Sequence, residues 1–119
     1  MNAIHLSVSI SMFDSLQPVT ISLRAAEEIR KIMDTKNIPP DYGLRLGVKG
    51  GGCGVSLLIG FDKKKESDLT YQINGITVYV DKKHTMYIIG KEVDFFDGDA
   101  GRGFMFVDPN PSIKDQQSV

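Results

Sequence analysis

The chain contains one cysteine, and it stands in the barest stretch of the sequence, Gly50-Gly51-Gly52-Cys53-Gly54. No neighbouring side chain can shield a thiol placed this way. Glycine amides can also turn toward an anion and stabilise a thiolate or sulfide. Thiolate is the form that binds soft metals or attacks electrophiles. Loop composition alone also allows a small packed cysteine beside a glycine turn, and at this level that plainer reading leads. Phosphate cradling is a poor match, because no Lys-Ser/Thr follows the glycines and a strand rather than a helix is expected next. His84 is the other nucleophilic or ligating candidate. Its setting, Asp81-Lys82-Lys83-His84-Thr85-Met86, is mostly charged and predicts a surface histidine, and no local signature supports a Cys–His pair. Asp97, Asp99 and Gly101 resemble the start of a calcium loop. The fifth position lacks an oxygen side chain and the twelfth is Asp108 rather than glutamate, so a turn is expected.

The elements around these residues follow from periodicity. Leu44, Leu46 and Val48 alternate with Arg45, Gly47 and Lys49 before the glycines. Val55, Leu57, Ile59 and Phe61 alternate with Ser56, Leu58 and Gly60 after them. Each run offers one apolar face, so the two should pair as neighbouring strands flanking Cys53. Asn74-Gly75 between the apolar runs 69–73 and 76–80 predicts a hairpin, because both turn residues tolerate positive φ. Upstream, residues 19–21 read as a short strand and Ser22 as a helix cap. Ala25, Ala26, Ile29, Ile32 and Met33 form the apolar stripe of the helix that follows, ended by Asn37 and Pro39-Pro40. Residues 82–89 predict a second, short helix stopped by Gly90; 92–96 and 104–107 predict strands, with a turn over 97–101. The run from Asp62 to Asp68 reads as a solvated hairpin loop. Residues 4–12 alternate Ile4, Leu6, Val8, Ile10 and Met12 with polar residues, a strand pattern that leaves His5 exposed; Met12 could also begin a shorter chain.

The 119 residues, 41% hydrophobic, suit one domain, expected to bury roughly two-thirds of the unfolded chain's surface. Fourteen basic and fifteen acidic side chains give a net charge of -1, which carries no electrostatic footprint for nucleic acid or an acidic membrane. One cysteine cannot form an intrachain disulfide, so the core must hold the fold, and a reducing cytoplasm is the natural setting. No run is long and apolar enough to span a bilayer, and no signal peptide is expected at the N-terminus. The fold class expected is α+β, β-dominated, with one main helix and a short second one. Residues 1–18 are an N-terminal extension with a possible extra strand, 19–112 the domain, and 113–119 a loose polar tail.

Several spaced stretches, in order, resemble a known family: "AAEEIRKIM", "GLRLGVKGGGCG", "GFD", "NGITVYVD", "MYIIGKEVDFF" and "GRGFMFVDPNP". They are similar to the HesB-like, or A-type, iron–sulfur carriers, over about residues 19–112. The resemblance implies a compact, mostly β fold that forms homodimers or higher homo-oligomers and is not an enzyme. It implies binding of iron or an iron–sulfur cluster, and delivery of it to apo-proteins together with the cluster-assembly proteins. Cys53 stands where the family's first ligand cysteine falls, framed by Gly51, Gly52 and Gly54. The family's other two cysteines, a C-terminal Cys-Gly-Cys, are absent; their positions fall near Asp115 and Gln117, of which aspartate is able to bind iron. Gly54 follows Cys53 directly, as if one residue were deleted, and Leu57-Leu58 replaces an aromatic region. The resemblance thus leaves two readings: a carrier using Cys53 from two subunits, or a HesB-like binding module that no longer holds a stable cluster and works through protein partners. A thiol enzyme with Cys53 as nucleophile has no positioned base in the sequence.

Overall fold

The computed structural model describes residues 18–50 and 56–109. In chain order these form β1 (Val19–Ile21), α1 (Leu23–Thr35), β2 (Tyr42–Lys49), β3 (Ser56–Lys63), β4 (Asp68–Ile73) and β5 (Ile76–Asp81). A 3-10 turn (Lys82–His84), α2 (Thr85–Ile88), β6 (Lys91–Gly98) and β7 (Gly101–Val107) complete them. The result is the expected α+β, strand-dominated fold with one main helix and a short second one. The alternating segment at residues 4–12 and the tail lie outside the described residues.

Two sheets carry the structure, one of three strands in the order β1-β6-β7 and one of four in the order β3-β2-β5-β4. Each combines a parallel pair, β1 with β6 and β2 with β5, with antiparallel neighbours. Leu44 and Leu46 of β2 and Ile76, Val78 and Val80 of β5 point to one side of the four-stranded sheet. There they join Ala25, Ala26 and Ile29 of α1, Val19 and Ile21 of β1, Ile88 of α2 and Val93 of β6 in a single core. Each fully buried Leu, Ile or Val side chain of this set contributes roughly 1.5–3 kcal/mol.

Local signals work as their chemistry requires. Ser22 caps α1, its Oγ accepting from the Ala25 amide at 3.2 Å. At the other end Asn37 takes φ 52°. The Ile38 amide then reaches the Met33 carbonyl (3.0 Å) and the Asn37 amide the Asp34 carbonyl (3.3 Å), a Schellman closure with asparagine in the left-handed position. Asn74 (φ 49°) and Gly75 (φ 78°) form the two-residue turn between β4 and β5. The turn after β6 is tighter than expected: Gly98 pairs with Gly101, leaving only Asp99 and Ala100 outside the ladder. Gly90 (φ 79°) ends the short helical stretch, as expected.

One expectation is corrected. The segment between Asp62 and Asp68 is not a hairpin loop. β3 and β4 are the two edges of their sheet, separated by β2 and β5, and the pairing makes them parallel to each other. Residues 64–67 therefore cross the sheet. The Asp68 side chain is wholly buried rather than solvated.

Candidate functional site

β2 and β3 pair without a break from Tyr42↔Lys63 to Lys49↔Ser56. The glycine segment leaves from this last pair, so both of its ends are fixed on neighbouring strands about 5 Å apart. Gly50 opens it with φ 91°, a conformation that side chains resist. Gly51, Gly52, Cys53 and Gly54 lie outside the described residues, as does Asp115. Among the described residues no three His, Cys, Asp or Glu side chains converge as a metal would require.

On the side of β2 away from the core, Gly43, Arg45, Gly47 and Lys49 succeed one another. His84 is not the exposed surface histidine that its charged neighbours predict; it is half-buried against Gly47. A Cβ on Gly47 would lie 2.3 Å from the His84 Nδ1, so only glycine admits the ring there. The Val48 amide donates to that same Nδ1 at 3.4 Å, an acceptor role open only to an unprotonated Nδ1. Gly47, Leu58, Lys65, Asp81 and His84 line a cleft of about 120 Å³. Asp81 caps the 3-10 turn that delivers His84, accepting from the Lys83 amide (3.0 Å) and the Ser67 hydroxyl (3.0 Å). These bonds, the Lys83 amide first, hold the Asp81 carboxyl below its ordinary range.

Arg45 organises the crossing segment. Its guanidinium grips Asp68 with two contacts of 2.7 and 2.6 Å, reaches Asp62 at 3.1 Å and donates to the Lys63 carbonyl at 3.0 Å. Asp68 also accepts from the Lys65 amide at 2.7 Å. The Arg45 hydrogen bonds, against the opposing effect of burial, bring the Asp68 carboxyl down to about 2. A comparable clamp fixes α1: Asp94 of β6 accepts from Ser22 Oγ (2.7 Å), from Arg24 through two nitrogens (2.7 and 2.6 Å) and from the Phe95 amide (2.9 Å). Arg24 is the chief reason that its carboxyl is held far below the usual range. Periodicity marks Arg45 and Gly47 only as outward-facing positions. Their partners lie 23 and 37 residues further along the chain, Asp68 for Arg45 and His84 for Gly47, and no local pattern connects them.

A fold of two small mixed sheets with one main helix, carrying a glycine-rich thiol segment between β2 and β3, defines the class of protein found by comparison. The family model described as iron-sulphur cluster biosynthesis matches residues 17–119. The chain belongs to this family, the A-type iron–sulfur carriers. Among its relatives, the Bacillus subtilis protein named SufA is 41% identical over 95 residues, 78% of either chain. The Serratia proteamaculans protein named iron-binding protein IscA is 33% identical over 96 residues, 79% of this chain and 88% of that one. Among solved structures, Escherichia coli SufA, titled as involved in biosynthesis of iron–sulfur clusters, superposes with a TM-score of 0.63 at 30% identity, covering 79% of this chain and 82% of that one. An IscA structure with a [2Fe-2S] cluster gives a TM-score of 0.60 at 23% identity, covering 77% and 83%, which speaks to the fold alone. Among the described residues no helix is long and apolar enough to cross a membrane.

Proposed function

We propose that this chain is an iron–sulfur carrier that takes up iron or a cluster through Cys53 and passes it to apo-proteins. Membership of the iron–sulphur cluster biosynthesis family is the observation that carries the reading. The cargo suits the donor, because thiolate is a soft ligand and cluster iron binds it well. The segment Gly51-Gly52-Cys53-Gly54 would present the sulfur with little steric cover, and its amides would offset the negative charge of sulfur and sulfide. One thiol per chain is too few for a cluster that wants four ligands. Two or more subunits would therefore share it, as a homodimer or larger homo-oligomer, with non-cysteine donors such as Asp115 completing the shell. The partners would be cluster-assembly proteins and apo-protein recipients in the cytoplasm; no catalytic turnover, nucleic acid or membrane enters the reading.

A second reading is favoured by one specific observation, the lone cysteine in the chain. It holds the protein to be a carrier-fold module that contacts assembly partners without keeping a cluster. Anaerobic reconstitution with iron and sulfide, followed by absorption spectra and metal analysis, separates the two. The carrier reading expects a coloured, iron-containing product that Cys53→Ser abolishes, and a dimer or larger species by light scattering. A colourless, iron-free wild-type product would leave the module reading standing.

A further inference from the structure

We propose that His84 is a positioning residue for the thiol segment, acting through the end of β2; this rests on the reading of Cys53 given above. The β2–β5 ladder runs from Leu44↔Val78 to Leu46↔Val80 and stops there, because the chain leaves β5 at Asp81 for the 3-10 turn. Val48 stands two residues beyond Leu46, past the last pair of that ladder. No β5 pairing reaches that residue. The imidazole of His84 takes that place, with Nδ1 receiving the Val48 N–H at 3.4 Å. A side chain thus extends the ladder by one step, to the last residue but one before the glycines.

The fit is specific on both sides. Gly47 leaves the room that the ring occupies, since any Cβ there would collide with Nδ1. The turn that brings His84 into place is itself pinned by the Asp81 cap, by the Lys82 amide on the Ser67 carbonyl (3.0 Å), and by fully buried Ile88 one helical turn further on. β3 holds the other side of β2 as far as Lys49↔Ser56. With His84 in place, the strand that launches the glycine segment is held from both sides. Without it, one side is free over the last residues. His84 thereby steadies the end of β2 from which the segment bearing Cys53 departs.

The test uses the full-length protein, first without metal. His84→Phe keeps a ring over Gly47 but has no acceptor, whereas His84→Asn sets an amide oxygen close to where Nδ1 lies. Losing a net hydrogen bond should speed hydrogen exchange at the Val48 amide about fivefold in His84→Phe. The rate at which iodoacetamide alkylates Cys53 should shift roughly twofold or more in the same variant, through wider local opening. His84→Asn should restore both values to those of wild type. Gly47→Ala, which displaces the ring without altering His84, should reproduce the His84→Phe result and serves if that variant folds poorly. Wild-type exchange at Val48 or wild-type alkylation in both His84→Phe and Gly47→Ala, or a His84→Asn protein that behaves like His84→Phe, would overturn the assignment. A wild type that takes up no cluster on reconstitution sinks the carrier reading separately, since the exchange and alkylation rates are measured in apo protein.

Discussion

Replacing Arg45 with methionine would strand Asp68. The Asp68 carboxylate has no exposed surface, and its partners are two guanidinium contacts from Arg45 and one amide from Lys65. Removing one member of a buried ion pair costs about 3–5 kcal/mol, because the remaining charge keeps its desolvation penalty and loses its compensation. Arg45 retains 17% side-chain exposure, so water can enter the vacated space. The lower end of that range, about 3 kcal/mol, is the expected loss, or about 12 °C in Tm for a domain of this size. Asp68→Asn should cost less, about 1–2 kcal/mol, because Arg45 keeps Asp62, the Lys63 carbonyl and contact with solvent. The double variant Arg45→Met/Asp68→Asn should be more stable than the sum of the singles by about 1–2 kcal/mol. Thermal and urea unfolding at neutral pH measure all three. An Arg45→Met protein melting within about 3 °C of wild type, or strict additivity in the double variant, would refute the view that this pair pins the crossing segment.

Acid should reveal the same pair. The folded pKa of Asp68, about 2, lies below its ordinary 3.8, so its contribution is complete above that ordinary value and is lost as pH falls toward 2. Asp94 shifts in the same direction. Wild-type stability followed by urea midpoints should fall steeply across that window, and the Arg45→Met slope should be shallower; parallel slopes would count against the assignment. Gly43→Ala should destabilise by about 1–3 kcal/mol, since the new Cβ would meet the Tyr79 ring at 2.7 Å and the less yielding Thr77 carbonyl at 2.9 Å. Gly60→Ala, with nothing within 4 Å, is the control and should stay within about 0.5 kcal/mol in the same urea titration.

Legibility divided along a physical line. The hairpin at Asn74-Gly75, the Ser22 cap and the apolar stripe from Ala25 to Met33 were readable because each rests on interactions within a few residues. The β2–β3 pairing was readable for a related reason: two alternating runs joined by a short glycine segment have few other ways to bury their apolar faces. The crossing segment is not legible in the sequence, because a lysine-rich run between two strands looks the same whether those strands are neighbours or opposite edges. The setting of His84 is not legible either, because its neighbours in sequence are charged while its neighbour in space is a glycine.

The sequence by itself determined the α+β character, the order of most elements and the placing of one thiol among glycines, since backbone conformational preference and hydrophobic period act locally. It also carried the ordered motifs by which the family is known. Only the tertiary structure decided which strands are edges, that Arg45 closes on Asp68, and that His84 completes the ladder at Val48. Those contacts join residues that meet only after the sheet has formed, and their strength comes from burial and geometry that no local stretch specifies.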